Sequence, residues 1–142
     1  MQKAPYTAGY VLLDTDVFSY LTKPDPIRAP LYQPHVIDKT LAISFVTVGE
    51  VLFGARRRKW GSGKISNLRL SLNNFIVLPY DMALCEIYAN LKADLYAIGR
   101  GMADNDLWIA STALRHSVPL VSNNRAHFEG IPSLTLKTEK QP

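Results

Sequence analysis

The chain has 142 residues, 47% of them apolar and 20% charged, with a formal net charge of +4 and a pI of about 9.3. That length suits one domain with a real core, and the absence of low-complexity tracts, repeats and long like-charge blocks argues against disorder beyond the ends. No apolar run approaches the roughly 20 residues that span a bilayer, the start lacks the apolar region of a secretory signal, and a single cysteine, Cys85, excludes an internal disulfide; no membrane is expected, and the cytoplasm is the expected compartment.

Residues 1–9 and 137–142 read as loose tails around a domain at 10–136. Within it, Tyr10-Val11-Leu12-Leu13 is a short continuous apolar run of the kind that forms strands buried on both faces. Leu41 to Phe45, Phe75 to Leu78, Leu120 to Ser122 and, more weakly, Leu134 to Leu136 have the same character. Helical patterns lie between them. One covers about Thr47 to Lys59. A second covers about Asp81 to Gly99, where Leu84, Ile87, Tyr88, Leu91, Leu95 and Ile98 recur at three- and four-residue steps. Asp81 is placed to cap it and Gly99 and Gly101 to end it. Cys85 falls in this helix and is expected in or near the core. A third helix runs from about Asp104, its expected N-cap, to His116. Short buried strands alternating with helices predict an α/β domain: a parallel sheet of four to five strands with right-handed crossovers. In such sheets ligands bind beyond the carboxyl ends of the strands.

Acids fall at those ends. Asp14 stands where the first strand runs out, and Asp16 follows it. Glu50 lies one turn into the helix after the second strand, on a stripe with Thr47, Gly54 and Arg57. The small neighbours leave room beside it. Asp104 and Asp106 open the late helix. Asp106 shares a face with Ile109, Ala110 and Ala113, which sets it over the edge of the core. Ser122-Asn123-Asn124 follows the fourth strand, and an Asn there either forms a turn or offers a neutral oxygen ligand. Carboxylates gathered this closely repel one another and call for a cation. Mg²⁺ takes about six hard oxygens at roughly 2.0–2.1 Å, several from water. Cys85, His35, His116 and His127 have no zinc spacing. Arg56, Arg57, Arg58 and Lys59 form a basic run, either complementing a helix end or meeting phosphates.

In order and spacing these pieces resemble the PIN-domain ribonucleases, and most closely the VapC toxins of bacterial toxin–antitoxin pairs. The matching segments are Leu12 to Val17, Ser44 to Val51, Asp104 to Ala110, and Leu120 to Asn124 with Phe128. Together they cover roughly residues 10 to 136. The resemblance implies a Rossmann-like sheet with an acidic pocket at its carboxyl edge. It also implies an RNA substrate, Mg²⁺ or Mn²⁺ as cofactor, an antitoxin protein covering the site, and a homodimer. It carries the family's three leading acids onto Asp14, Glu50 and Asp106 as catalytic residues and metal ligands. Thr15 becomes an accessory hydroxyl beside the metal. Asp16 stands where Asn is common. A fourth acid maps onto Asn124, a departure that keeps an oxygen and loses a charge, which Asp104 or Asp16 would supply. Arg57, on the Glu50 stripe, is the expected contact to an RNA phosphate. Trp60 and Tyr32 are flat enough to stack on bases, and equally suited to packing.

Two other readings compete. Leu12 to Val17 also fits the opening motif of haloacid-dehalogenase-like phosphatases, but their later lysine and closing acidic pair do not appear in the required order. A non-catalytic module of the same fold, binding RNA or a protein without cutting, is the other.

Overall fold

The computed structural model describes residues 7–23 and 25–142; residues 1–6 of the expected N-terminal tail and Pro24 lie outside them. Five strands, β1 (Tyr10–Leu13), β2 (Thr40–Ile43), β3 (Ile76–Val77), β4 (Leu120–Val121) and β5 (Leu136–Lys137), pair in the order β3-β2-β1-β4-β5, all parallel. Seven helices flank them: α1 (Thr15–Thr22), α2 (Arg28–Val36), α3 (Phe45–Arg57), α4 (Ser62–Leu72), α5 (Met82–Ala97), α6 (Asp104–His116) and α7 (Arg125–Phe128). The expected α/β parallel sheet is therefore what the chain forms.

β1 sits at the centre, which explains its unbroken apolar run. Successive side chains of a strand point to opposite faces. Leu12 packs with Leu91, Leu95, Leu107, Ile109 and Leu120 under α5 and α6. Val11 and Leu13 pack on the other face with Val17, Phe18, Tyr32, Val36 and Ile43. The chain builds from β1 outward through β2 and β3, then returns to place β4 on the opposite side of β1. That reversal leaves a crevice beyond the carboxyl ends of β1 and β4.

Several local expectations shift. The second strand stops at Ile43 because Ser44 turns the chain into α3, its Oγ accepting from the amides of Val46 and Thr47 at 3.1 and 3.3 Å. β3 is an edge strand, and Ile76 and Val77 keep 46% and 45% of their surface exposed rather than being buried on both sides. α6 begins one residue after Ala103, so Asp104 is its first residue and not its cap. Asp81 does cap α5, accepting from the Leu84 amide at 2.8 Å, and Gly99 ends the segment with φ +71°, a value costly for other residues. Cys85 is exposed, on the solvent side of α5 and not in the core. Two helices had no visible apolar period. α4 buries no residue fully. α2 contains Pro30 and Pro34 and is held by its buried Tyr32 and Val36. No helix among the described residues is long and apolar enough to cross a membrane.

The C-terminal segment is not the loose tail expected for residues 137–142. β5 extends through Lys137, and the Glu139 amide donates to the Tyr32 hydroxyl at 3.1 Å. Glu139 also meets His35 at 2.6 Å, and the Lys140 carbonyl accepts from Arg125 at 3.3 Å. The same Tyr32 hydroxyl donates to Asn123 Oδ1 at 2.7 Å, so one fully buried phenol ties the chain end to the loop after β4. Tyr32→Phe should cost about 1–2 kcal/mol in denaturant titration, since a buried hydrogen bond is lost and its partners are stranded. The Glu139 amide should then exchange with solvent faster in hydrogen-exchange measurements, while unchanged exchange would show that the segment is anchored elsewhere.

Candidate active site

The pairing of β1 with β4 sets the site. Leu13 lies opposite Val121, so the next residues, Asp14 and Ser122, leave the sheet side by side. Ser122 Oγ donates to Asp14 Oδ2 at 2.6 Å, and the Thr15 amide donates to Asp14 Oδ1 at 2.8 Å, which makes Asp14 the N-cap of α1 as well. The Asn124 side-chain amide approaches Oδ2 at 3.5 Å, and the Asn124 backbone N–H donates to Ser122 Oγ at 2.9 Å. Asp14 is nearly fully buried. Burial raises its pKa above the usual carboxylate value and the Asp106 charge adds to the rise, against the pull of the Ser122, Thr15 and Asn124 hydrogen bonds.

Thr15 carries the connection to α3. Its Oγ1 shares a hydrogen bond with Thr47 Oγ1 at 3.0 Å and donates to Glu50 Oε1 at 3.3 Å. Glu50, half-buried, is raised first by burial and further by the charges of Asp14 and Asp106, while bonds from Thr15 and Asn105 oppose the rise. Asp16 accepts from the amides of Val17 at 2.6 Å and Asn123 at 3.0 Å, bridging the start of α1 to the loop after β4. It is pushed up to about 7, chiefly by burial and then by the Asp14 charge.

Asp106, on the inner face of α6, is buried and lies 2.8 Å from His127 Nδ1 on α7. His127 escaped sequence reasoning because it matches no zinc spacing; the usable signal was its position three residues after Asn124, in the segment that returns from β4. Asp14, Asp16, Glu50 and Asp106 thus come together from three stretches of chain: the start of α1, α3 and α6. Asp104 does not join them. Its carboxylate, 63% exposed, accepts from Lys92 Nζ at 2.9 Å and the Tyr88 hydroxyl at 2.7 Å, and the Lys92 bond holds it below the usual range. Two residues' separation on a helix turns it toward α5, away from the crevice. Arg57 is displaced in the same way. The cavity beside Glu50 is lined by Arg58, four residues beyond Gly54, and not by exposed Arg57. Tyr32 is fully buried and packs; Trp60 borders that cavity.

The donor chemistry fits a hard divalent cation: desolvated carboxylates, each raised by its neighbours' charge, with hydroxyl and amide oxygens between them. Among the described residues no three acidic, histidine or cysteine side chains are already drawn together as tightly as a bound ion would hold them. The Asp14, Glu50 and Asp106 oxygens instead meet Ser122, Thr15 and His127, respectively.

The PIN domain family profile matches residues 11–132. The chain belongs to the PIN-domain family. Its relatives include a VapC ribonuclease of Sinorhizobium fredii, 31% identical over 126 residues, covering 84% of this chain and 90% of that protein. Another is ribonuclease VapC2 of Haemophilus influenzae, 29% identical over 128 residues, 90% of this chain and 95% of that protein. VapBC-1 of nontypeable Haemophilus influenzae, solved at 2.2 Å, superposes with a TM-score of 0.78 at 28% identity, over 91% of this chain and 97% of the matched one.

A carboxyl whose pKa is higher in the folded than in the unfolded chain stabilises the fold most below the unfolded value, and that contribution is lost as pH rises through the folded value. For Asp16 the window runs from the ordinary value of 3.8 to about 7, with Asp14 and Glu50 shifted in the same direction. In EDTA the melting temperature of this PIN-domain protein should therefore fall between pH 5 and pH 8. Millimolar Mn²⁺ should shrink the fall by a few degrees or more, because cation binding to the ionised site stabilises it. A melting curve indifferent to Mn²⁺ across that range would speak against a cation site here.

Proposed function

We propose that this chain is a divalent-metal-dependent endoribonuclease, the toxin of a VapBC-type toxin–antitoxin pair, acting on cellular RNA in the cytoplasm. The observation that carries the proposal is the convergence of Asp14, Glu50 and Asp106 at the carboxyl edge of the sheet, within mutual electrostatic reach. The likeness along nearly the whole chain to proteins named VapC ribonucleases supports the reaction class. The likeness to VapBC-1 supports an antitoxin partner.

Asp14, Glu50 and Asp106 would hold Mg²⁺ or Mn²⁺, with Asn124 able to offer a neutral oxygen and Asp16 as the reserve of charge. When bound, such an ion makes a coordinated water easier to deprotonate and steadies the charge that grows on the phosphate and leaving oxygen. The chain's own groups set the geometry. Ser122 and the Thr15 amide fix the Asp14 carboxylate from behind, so its orientation is settled before any ligand arrives. The Thr15 hydroxyl does the same for Glu50. Asp106 would meet the ion in place of His127, whose side chain is 55% exposed. Arg58 stands beside Glu50 to meet a backbone phosphate, a contact that is salt-sensitive and blind to base identity. A second copy of the chain has apolar surface to use beyond edge strand β3, where Tyr80 and Met82 are 72% and 76% exposed.

Asp14→Asn and Asp106→Asn should each lower Mg²⁺- or Mn²⁺-dependent RNA cleavage by a factor of about 100 or more, with circular dichroism unchanged. Full cleavage by both folded variants would refute the assignment, and RNA held equally well with and without EDTA but never shortened would favour a binding module. Asn124→Asp should tighten Mn²⁺ binding in calorimetry; unaltered affinity would reduce Asn124 to a turn former.

A further inference from the structure

The acidic site opens on one side into a trench that the nuclease reading alone does not account for. A cavity of about 290 Å³ begins at Thr15 and Glu50, passes over Gly54, and ends against Arg58, Trp60 and Lys23. A second of about 270 Å³ shares Thr22, Lys23, Trp60 and Leu68 with it and continues past Lys64 and Asn67. Each lobe is near the lower end of the range for small-ligand sites, roughly 300–1,000 Å³. The trench is polar in the electrical sense: one carboxylate, Glu50, at the mouth, and the cations Lys23, Arg58 and Lys64 along the far end.

Those cations are uncompensated. Among the described residues none of Lys23, Arg58 and Lys64 has a carboxylate within 4.0 Å, although Arg28, Lys92, Arg115 and Arg125 and the imidazoles of His35 and His127 do. They crowd one another instead. The Lys23 ammonium is pushed below its usual pKa by burial first and then by the charges of Arg58 and Lys64. Lys23 Nζ lies 3.8 Å from the centroid of the Trp60 ring and Lys64 Nζ lies 5.5 Å from it, so the indole face is the nearest thing to an anion that either has found. A Cβ on Gly54 would stand 3.3 Å from Arg58 Nη1, so the glycine leaves room for that guanidinium beside α3.

We infer that this trench seats the nucleotide next to the scissile phosphate of an unpaired RNA strand, with its base stacked on Trp60 and its phosphate held by Arg58 and Lys23. The inference rests on the nuclease reading and deepens it to a substrate class. An arriving phosphate relieves the repulsion among the three cations. Lys23 then leaves the indole face to pair with it, and the base takes the vacated face. Stacking needs a free base, since a base inside an A-form duplex presents no face to a protein side chain. An acidic peptide would neutralise the cations too but brings no flat ring for Trp60. The direct continuity with Glu50 also favours a strand that runs through the site rather than a ligand that stops short of it.

The test uses the full-length Asp14→Asn protein in EDTA, where RNA stays intact, and the fluorescence anisotropy of a labelled ten-residue oligoadenylate. Trp60→Leu should weaken binding about 5- to 100-fold. Trp60→Phe, which keeps a flat ring, should cost less than about threefold. Arg58→Ala and Lys23→Ala should each weaken binding and lower the slope of log affinity against log salt by about 0.7, the single-strand value per phosphate contact. Melting temperatures within a few degrees of the parent certify the fold, and Trp60→Phe keeps the test decisive if Trp60→Leu fails to fold. Binding within twofold of the parent for Trp60→Leu would overturn the inference. So would a Trp60→Phe loss as large as that of Trp60→Leu, equal competition by inorganic polyphosphate, or tighter binding of oligoglutamate, the last pointing to a protein tail as the occupant. If Asp14→Asn and Asp106→Asn abolish cleavage while Trp60 and Arg58 variants bind normally, only the trench assignment falls. If Trp60 and Arg58 variants lose the oligonucleotide while the acid variants still cut, the trench stands and the metal reading falls.

Discussion

The alignment of β1 against β4 is the constraint on which the rest of the site depends. Parallel pairing of Leu13 with Val121 leaves Asp14 and Ser122 no choice but to emerge together, and the 2.6 Å bond between them turns a strand register into a side-chain orientation. A slip of one residue would reverse every inward and outward side chain of the strand, emptying the core position of Leu12 and turning Asp14 into the sheet face. The core therefore protects the chemistry. Leu12 under α5 and α6, and Val11 and Leu13 under α1 and α2, pin the register from both faces. Because the pinned edge is buried, the carboxylates gathered there are desolvated and raise one another's pKa values. The site is a place of stored electrostatic cost, acceptable to the fold because the surrounding apolar contacts are extensive and because a cation would offset it.

Much of this was legible in the sequence, for identifiable reasons. The central strand is buried on both faces and so announces itself as an unbroken apolar run; α5 and α6 have one apolar side and announce themselves by period. Asp14 and Asp106 could be located because each sits at the boundary of such a pattern. What could not be read depended on through-space partners. Asp104 and Asp106 look alike as two acids at a helix start, yet one faces Lys92 across the gap to α5 and the other faces His127. Only the placement of α5 and α7 separates them. Cys85 looked internal because the helix around it is apolar, but the stripe formed by Leu84, Leu91 and Leu95 leaves the neighbouring position outside. α2 was hidden by its prolines, and its stability comes from Tyr32, whose role as the knot between the chain end and the Asn123 loop is wholly tertiary. The C-terminal residues looked loose for the same reason.

The basic run shows how a difference of one residue decides a role. The Glu50 stripe continued at three-residue spacing reaches Arg57, and at four-residue spacing reaches Arg58. α3 ends at Arg57, Arg58 adopts φ −79° and ψ 0° as its cap, and Lys59 turns left-handed at φ 56°, folding the chain back so that Trp60 closes on Lys23. The helix terminus, not the charge run, aims the cation. Gly54 contributes by absence, since the Arg58 guanidinium occupies space a larger residue would claim.

The neutral Asn124 changes the charge economy of the site in a specific direction. With an acid at that position the crevice would carry one more fixed charge beside Asp14, and Asp16 would be driven still further toward its protonated form. With Asn124 there, its side-chain amide instead donates toward Asp14 at 3.5 Å, and Asp16 is left poised at about 7. A divalent cation arriving near Asp14 would lower the Asp16 pKa and release its proton, so the missing charge can be recovered at the moment it is needed. On the proposed reading the site is then less repulsive when empty than its fully acidic counterpart, and acquires its last negative charge as it fills. The cost falls on affinity at low pH, where that proton is held most firmly, and this couples metal loading to pH more steeply than a set of permanently ionised ligands would.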